Sequence, residues 1–475
     1  MDDLGRLVTQ VLTTFFNKPN YYGYNHNEFV KTAAEVASAH PKFIAHLAVY
    51  ARKEFNMRSV SHVLTAILAH EPKGKEFTRR LVNAVVVRAD DMSEILSTYI
   101  ALYGKPIPNS LKKGLNDALS RFDECTLAKY KSEGKALKMR DVLRICHPRP
   151  QDEKQAAMWK RCIAGELETP LIWETELSAE GNTKEVWEGL IDSGKLGYMA
   201  LLRYLPKIAE ADPDNIDKIY ETLFSKKQIR KQVAEAKQLP FRLLSVYKEL
   251  EEVVNAHVAG GSLFKLKWAI GDSVENLARM PGKTAIAIPA SGSMNRYVST
   301  DSKVTFGEVG VLLGVIATQI CENCLFLKYN SMIQSVISGG PLIFYQIEDI
   351  CAFIGNNELL EVPFGHLTDK KINVDRIIVL CFDTVHASQD TCKIIQWLAD
   401  DYRRKVNSDV WVHAMVLDSY RTKPFFGNRI NIISGWSDKV LDFIQLAENG
   451  IDNLIKRVET YNWAEAVEAA EDDFW

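Results

Sequence analysis

The chain lacks an excess of basic residues. Its 475 residues include 58 lysines and arginines against 61 aspartates and glutamates, a formal net charge of −3, and the pI is about 6.4. This balance excludes a globally basic nucleic-acid binder. Any affinity for a polyanion must therefore come from local patches of positive charge.

Cysteine is also scarce, with eight in the whole chain, and we see no secretory leader ahead of them. This usage indicates a reducing compartment, and we expect a cytoplasmic protein. The one CxxC sequence, at Cys321 to Cys324, has no second pair and no histidines at zinc spacing. It favours packing at a helix end over metal binding or redox chemistry. No apolar run is long enough to span a bilayer, so we expect no membrane partner.

Signatures of catalysis are missing as well. We find no nucleophile–base set, no glycine-rich phosphate loop and no carboxylate cluster, so a hydrolase is a remote alternative and we expect no enzyme. The scattered histidines of the first part of the chain, His40, His46, His62 and His70, have no cysteine, serine or carboxylate pattern beside them. We interpret them as packing or surface residues.

Helical periodicity dominates residues 1 to about 275. Apolar residues recur at i, i+3 and i+4 in segments of about 10–15 residues, separated by short Pro, Gly and Asn breaks. Such alternation is typical of an α-solenoid, in which each hairpin buries its apolar face against the next. No strict repeat period is present, so the pattern alone also fits any large helical domain.

The pattern changes from about residue 282. Apolar, partly β-branched runs at 283–288, 325–329, 376–382 and 410–417 predict strands, and helices are expected near 306–320, 342–354, 391–404 and 439–447. This alternation predicts a parallel-rich, doubly wound α/β sheet. Ligands of such sheets bind at the carboxyl ends of the strands. Ser291 and Ser293 follow the first strand there, in a turn of small residues.

The stretch from Leu137 to Pro150 predicts an amphipathic helix. Its apolar positions fall on one face, at Met139, Val142, Leu143 and Cys146. Nitrogen-rich side chains share another face, at Arg140, Arg144 and His147. Pro148 and Pro150 end the helix and leave His147 exposed. Guanidinium groups near a tyrosine suit phosphates and unstacked bases, although a short charge run by itself is more often a solvated helix face.

More positive charge lies on either side of this helix. Upstream are Lys129, Tyr130, Lys131 and Lys135, and Arg149 follows between the two prolines. A second basic cluster comes later in the helical region, at Lys226, Lys227, Arg230, Lys231, Lys237 and Arg242. A solvated helix explains this second cluster as well as a ligand does.

Three ordered segments resemble the TROVE domain, the RNA-binding module of the Ro autoantigen family. The first is Lys129-Tyr130-Lys131 with Arg140 to Pro150; the others are Asn182 to Glu188 with Ala200 to Leu205, and Leu239 to Leu244 with Tyr247-Lys248. The resemblance implies HEAT-like helical pairs bent into a ring, with single-stranded RNA ends in the hole and structured RNA on the outer face. The second basic cluster could then line the hole.

The family's surface for structured RNA uses a lysine, an arginine and a histidine of the signature stretch. Lys129 and His147 match the first and the last of these. The arginine position falls near Glu133-Gly134-Lys135, where this chain is one residue longer, and Lys135 is its substitute. The RNA-binding residues we predict are Lys129, Lys131, Lys135, Arg140, Arg144, His147 and Arg149.

The later α/β region resembles the von Willebrand factor type A domain. In that family two serines, a threonine and two aspartates hold a divalent cation, beginning with a DxSxS turn. Here both serines are kept, as Ser291 and Ser293, but Pro289 stands where the aspartate would be. Thr368 and Asp383 are the best matches for the threonine and the final aspartate. We therefore predict a metal site that binds Mg²⁺ weakly or is empty, and no required cofactor.

Together these patterns predict an α-solenoid, a HEAT-like ring, followed by a doubly wound von Willebrand factor A-like domain. We place the helical domain at 1–275, the α/β domain at 282–448 and an acidic tail at 449–475. The predicted protein is a monomeric Ro-like binder of small or misfolded non-coding RNA of the Y-RNA kind, with a nuclease or another protein as a further partner. The alternative is a protein-binding scaffold that has lost RNA.

Overall fold

The structure is a computed structural model, and contacts between residues divide it into two compact units. One comprises residues 1–171 with 449–475, and the other residues 172–448. The described residues are 3–13, 22–130, 136–167, 177, 180–194, 196–224, 240–253, 263, 266–267, 269–271, 273–274, 277–300, 302–336, 350, 359–382, 391–417, 426–427, 429–437 and 439–462.

The first unit is helical throughout its described part. Its helices are Asp3–Leu12, Tyr22–Ala39, Pro41–Glu54, Arg58–His70, Lys75–Val85, Ala89–Tyr103, Asn109–Leu119, Glu124–Lys129, Met139–Cys146, Glu153–Ala164 and Ile451–Glu459. Helices that are close in sequence pack on one another, as Pro41–Glu54 does on Arg58–His70. Because each amphipathic helix covers its neighbour's apolar face, the core follows the chain, as in an α-solenoid.

Local signals set the ends of these helices. The carboxylate of Asp152 accepts a hydrogen bond from the Gln155 amide at 2.7 Å, which caps the helix Glu153–Ala164 at its start. Gly165 ends the same helix in the left-handed conformation that glycine adopts without strain. Pro41 begins its helix in the first turn, where its missing N–H costs no hydrogen bond.

Residues after 449, which we expected to form an acidic tail, begin with the helix Ile451–Glu459. This helix packs against the helices Asp3–Leu12 and Pro41–Glu54. The Tyr461 hydroxyl donates a hydrogen bond to Glu54 Oε1 at 2.9 Å, and its ring meets Tyr50 edge-on at a centroid distance of 5.3 Å. The segment 451–461 is therefore part of the first unit, whereas 463–475 lie outside the described residues.

The second unit begins with helices and continues into a sheet. Its helices are Lys184–Asp192, Tyr198–Ala211, Ile216–Phe224, Pro240–Val253, Phe306–Ile320, Glu361–Asp369, Thr391–Lys405 and Val440–Glu448. Its strands are β1 (Met280–Pro289), β2 (Cys321–Tyr329), β3 (Ile333–Val336), β4 (Arg376–Cys381), β5 (Trp411–Val416), β6 (Phe426–Gly427) and β7 (Ile430–Ser434). The helix expected near 342–354 lies almost wholly outside the described residues.

The described strands form one sheet in the order β3-β2-β1-β4-β5-β7-β6. The five central strands run parallel, and β3 and β6 are antiparallel at the two edges. Because β2 pairs on one side of β1 and β4 on the other, the chain winds in both directions from β1. The predicted class, a helical region followed by a doubly wound α/β domain, is confirmed. The strands β3, β6 and β7 and the helix Glu361–Asp369 were not predicted.

Close packing surrounds β1 and β2. The helix Phe306–Ile320 approaches the sheet so tightly that a Cβ built on Gly314 would lie 2.2 Å from the Phe326 ring. Cys321 directly follows this helix, is buried, and places its Sγ 3.8 Å from the Met280 sulfur. The CxxC sequence thus begins at a helix end, as predicted, but its second cysteine, Cys324, lies within β2.

Candidate nucleic-acid interface

The helix Met139–Cys146 is amphipathic in the way its spacing predicts. Met139, Val142, Leu143 and Cys146 are all at most 6% exposed, and they pack toward the helices Ala89–Tyr103, Asn109–Leu119 and Glu153–Ala164. Burial raises the pKa of the Cys146 thiol to about 12, so this cysteine stays protonated and inert. Because the apolar side chains of this helix are buried against its neighbours, the opposite side of the helix is turned toward solvent.

That opposite face is basic and exposed. Arg140 and Arg144 lie one turn apart, and both are exposed to solvent. Within the described part of the chain, Arg140 has no hydrogen bond or ion pair, and Arg144 reaches only the Ile163 carbonyl, at 3.5 Å. Neither guanidinium is neutralised by an acid there. Both therefore retain the donors that a phosphate needs.

His147 ends this helix in the left-handed conformation, with φ 49° and ψ 57°. Its amide donates to the Leu143 carbonyl at 3.0 Å, which closes the last turn. Its side chain is exposed, and Pro148 directs the chain away from the helix axis. The predicted exposed histidine at a helix end is confirmed, and Arg149 beyond it is exposed as well.

Lys129 and Tyr130 end the helix Glu124–Lys129. The Lys129 ammonium lies 5.9 Å from the centroid of the Tyr130 ring. The Arg88 guanidinium lies over the same ring at 4.7 Å, and its Nε and Nη2 donate to the carboxylate of Asp90, each at 3.1 Å. Sequence reasoning missed Arg88, since its position over the ring depends on tertiary packing. Lys131 and Lys135 lie outside the described residues.

A buried ionic network lies in the first unit. His62 Nε2 is 3.2 Å from Asp91 Oδ1, and His62 Nδ1 is 3.4 Å from Glu94 Oε2, an arrangement that offers three possible metal ligands. The carboxylate of Asp91, however, also receives Arg52 and Arg58. It further accepts two backbone amides, from Val87 and Arg88 at 2.9 and 2.8 Å.

These partners decide the role of the network. Burial alone would raise the pKa of Asp91, but the adjacent His62 ring and the guanidinium groups of Arg52 and Arg58 outweigh it and hold the pKa well below its usual range. An added cation would have to displace arginines that already neutralise the carboxylate. We therefore interpret the network as structural, in line with the packing role predicted for His62.

At the carboxyl end of β1, Ser291 and Ser293 follow Pro289 in a short turn. Their hydroxyl oxygens are 2.6 Å apart and share a hydrogen bond, and Ser291 is buried. The described residues of this turn offer a cation neutral hydroxyl oxygens and no carboxylate. Mg²⁺ dehydrates reluctantly and is usually held through carboxylates, so this donor set does not fit it.

Of the two other predicted metal ligands, the structure describes Thr368. Thr368 lies in the helix Glu361–Asp369 and not in a loop, because Phe364 and Leu367 bury that face of the helix in the core. Its hydroxyl donates to the Phe364 carbonyl at 2.8 Å. Asp383 lies outside the described residues. Among the described helices we find none with the length and apolar content of a membrane-spanning segment.

The region that carries these side chains matches a known protein family. The TROVE domain model matches residues 12–165 and 153–290 of this chain. The chain belongs to the TROVE domain family. The family resemblance seen in its three sequence segments is thereby confirmed.

Individual relatives agree with this assignment. The chain is 24% identical to "Telomerase protein component 1" of Rattus norvegicus in an alignment of 309 residues that covers 47% of this chain. It is 23% identical to the protein of the same name from Mus musculus in an alignment of 330 residues that covers 52% of this chain. Each match spans only 12% of the relative's own length.

A solved structure shares the fold over almost the whole chain. The RO (RSR) protein of Deinococcus radiodurans superposes with a TM-score of 0.69, covering 96% of this chain and 99% of that one, at 14% sequence identity. Because both the helical region and the α/β region fall within this match, the order of the two is common to both proteins.

Proposed function

We propose that this chain is a Ro-like RNA-binding protein and not an enzyme. The observation that carries the proposal is the helix Met139–Cys146. One of its faces is fully buried, and the other presents Arg140, Arg144 and His147 to solvent without an acidic partner among the described residues. Membership of the TROVE family supports the same interpretation.

Binding by such a surface is mainly electrostatic. Each phosphate that a lysine or arginine neutralises releases bound counterions, and this release supplies affinity that falls as salt rises. The planar guanidinium groups of Arg140 and Arg144 suit bidentate contacts with phosphate oxygens. We propose that selectivity comes from the shape of the RNA and from its single-stranded parts more than from base identity.

The finer features of the proposal concern the RNA. We propose that small, structured non-coding RNA of the Y-RNA kind binds through Lys129, Arg140, Arg144 and His147, with Arg149, Lys131 and Lys135 adding charge. Single-stranded ends would enter the hole of the expected ring. We further propose a cytoplasmic monomer without a required metal, and a nuclease as a candidate partner.

A protein-binding scaffold is the second candidate. The net charge of −3 favours it, because the chain as a whole does not attract a polyanion. The exposed cations of the helix Met139–Cys146 disfavour it. One cheap measurement separates the two: the ratio of absorbance at 260 and 280 nm of protein purified without nuclease. We expect a raised ratio and an identifiable co-purifying RNA.

The decisive experiment removes the basic face and keeps the fold. Lys129→Ala, Arg140→Ala and Arg144→Ala together should weaken binding of a structured RNA ~100-fold at fixed salt, since each charge-assisted hydrogen bond is worth roughly 1 kcal/mol or more. The salt dependence should also fall, by about 0.7–0.9 in log–log slope for each phosphate that the variant no longer neutralises.

A matched variant controls for net charge. Arg6, Lys31 and Arg79 are exposed cations of the same unit, and each is already paired with an acid, namely Glu28, Glu35 and Asp117. Replacing these three by alanine removes the same formal charge but should leave RNA affinity nearly unchanged. If both triple variants lose affinity equally, or if neither does, the basic face is only a solvated surface.

A further inference from the structure

Arg88 directly precedes the helix Ala89–Tyr103, and both its backbone and its side chain are held there. Its amide donates to Asp91 Oδ2 at 2.8 Å. Its Nε and Nη2 donate to the two carboxylate oxygens of Asp90, each at 3.1 Å. Asp90 is buried and also lies 2.8 Å from Arg58 Nη2. The Arg88 guanidinium is therefore fixed as a two-pronged fork on a carboxylate that belongs to the buried ionic network of the first unit.

This fixed guanidinium meets an aromatic ring from another helix. Its Cζ lies 4.7 Å from the centroid of the Tyr130 ring, which is within the range of a cation–π contact, and planar guanidinium groups stack on such rings. Tyr130 directly follows the helix Glu124–Lys129, and its amide donates to the Thr126 carbonyl at 3.1 Å. Arg88 thus contacts the side chain at which that helix ends.

A second cation lies beside the same ring. The Lys129 ammonium is 5.9 Å from the ring centroid, and Lys129 is exposed. The two cations differ in the use of their charge, because the Arg88 fork is occupied by Asp90. A lysine side chain that is ordered only when RNA binds lowers the affinity, whereas one that is ordered beforehand does not. A fixed ring beside Lys129 reduces its freedom before any ligand arrives.

We propose that Arg88 is a positioning residue of the RNA-binding surface, which acts through the Tyr130 ring to hold Lys129 in place for an RNA phosphate. The fork that could hold a phosphate is taken by Asp90, so Arg88 is not itself a phosphate ligand. Loss of the Arg88 fork therefore adds an ordering cost to binding but leaves the number of neutralised phosphates unchanged. This inference rests on the proposed function.

The test measures binding of a labelled RNA hairpin with a single-stranded end to the full chain, by fluorescence anisotropy at several salt concentrations. Arg88→Lys keeps the charge beside Asp90 but has neither the fork nor the planar group. Its affinity should fall about fivefold, within the cost of ordering one long side chain, and its log–log salt slope should stay as in wild type. Lys129→Gln should lower both, the slope by about 0.7–0.9. Unchanged affinity in Arg88→Lys, or a slope that falls as in Lys129→Gln, would overturn the inference.

A double-mutant cycle tests whether Arg88 acts through the ring. Tyr130→Leu removes the ring and keeps an apolar side chain, so its affinity should fall as far as that of Arg88→Lys. Adding Arg88→Lys to Tyr130→Leu should then cost nothing more, because residues that act as one unit are not additive. Tyr130→Phe keeps the ring and should bind as tightly as wild type. If Arg88→Lys costs the same with and without the ring, Arg88 acts independently of Tyr130 and the inference fails.

Arg79 provides a matched control. Its Nε and Nη2 form the same kind of fork on Asp117, at 2.5 and 2.9 Å, in the same unit. Arg79→Lys should leave RNA affinity unchanged, and equal losses in Arg79→Lys and Arg88→Lys would contradict the inference. Because exposed ion pairs contribute little to stability, the two variants should melt at similar temperatures. If Arg88→Lys melts far lower and its loss of affinity persists without the Tyr130 ring, Arg88 is a structural residue.

Failure of this inference and failure of the proposed function look different. Wild-type protein that does not bind the RNA hairpin refutes the proposed function, and this inference with it. Wild-type protein that binds the hairpin and loses affinity in Lys129→Gln, while Arg88→Lys binds as wild type does, refutes the positioning role alone. Support for that role is weaker binding by Arg88→Lys at an unchanged salt slope, together with no effect of Arg88→Lys once the Tyr130 ring has been removed.

Discussion

Replacing His147 by glycine separates the backbone of the helix end from the imidazole. A left-handed backbone costs an ordinary residue about 1–2 kcal/mol, and histidine at φ 49° bears this strain. Glycine removes it but adds freedom to the unfolded chain worth about 0.5–1 kcal/mol. Because the His147 side chain is exposed, little burial is removed. We expect His147→Gly to stabilise the protein by roughly 0.5–1 kcal/mol, a rise of about 1–4 °C in the melting temperature.

His147→Ala provides the contrast. Alanine keeps the Cβ, so the strain remains, while the imidazole is absent as it is in glycine. Stability should therefore be highest for glycine and about equal for histidine and alanine, whereas affinity for a structured RNA should be highest for histidine and equally reduced in both variants. The most stable of the three proteins is thus not the tightest binder. A merely structural role for His147 would make affinity follow stability.

Thermal unfolding followed by circular dichroism measures the stability of the three proteins, and fluorescence anisotropy with a labelled structured RNA at fixed salt measures their affinity. One hydrogen bond from the imidazole to RNA should be worth about 1 kcal/mol, or roughly fivefold in affinity. If His147→Gly binds RNA as tightly as wild type does, the imidazole of His147 takes no part in RNA recognition. If it melts lower than His147→Ala, our account of the backbone strain is wrong.

Three other perturbations test other parts of the molecule. Asp91→Asn should lower the free energy of unfolding in urea at pH 7 by about 3–5 kcal/mol, because it leaves buried arginines unpaired. Since folding lowers the pKa of Asp91, the extra stability of the wild type over this variant should decrease as the pH falls below about 4. Gly314→Ala should destabilise by roughly 1–3 kcal/mol, since the new Cβ meets the Phe326 ring, whereas Gly365→Ala has open space and should be neutral or stabilising. Calorimetry should detect no Mg²⁺ binding tighter than about 100 μM, a typical weak-site limit, and tight binding that Asp383→Ala abolishes would contradict our interpretation of Pro289.

Local periodicity made the basic helix predictable. Met139, Val142, Leu143 and Cys146 repeat at helical spacing, and Pro148 marks the end, so both the buried and the exposed face could be predicted before any packing was known. The strands β1, β2, β4 and β5 were recognisable for a similar reason. β4 and β5 are buried almost throughout, β1 is buried from Thr284 onward and β2 from Phe326 onward, so each contains an apolar stretch that is buried on both faces.

Long-range packing accounts for what was missed. The helix Glu361–Asp369 contains Pro363 and Gly365, poor helix formers, and forms because Phe364 and Leu367 are buried. The position of Arg88 over the Tyr130 ring was missed as well, because residues so far apart in the sequence meet only when the helices pack.

The helix Ile451–Glu459 has a consequence for the order in which the protein can fold during synthesis. It packs on Asp3–Leu12 and Pro41–Glu54, which leave the ribosome long before it. Leu454 and Val458 fill that interface. The ribosome translates all of residues 172–448 before it reaches this helix. Until the helix has been made, the first unit exposes the apolar surface that the helix will cover, so the nascent chain presents a binding site for chaperones that the finished protein hides.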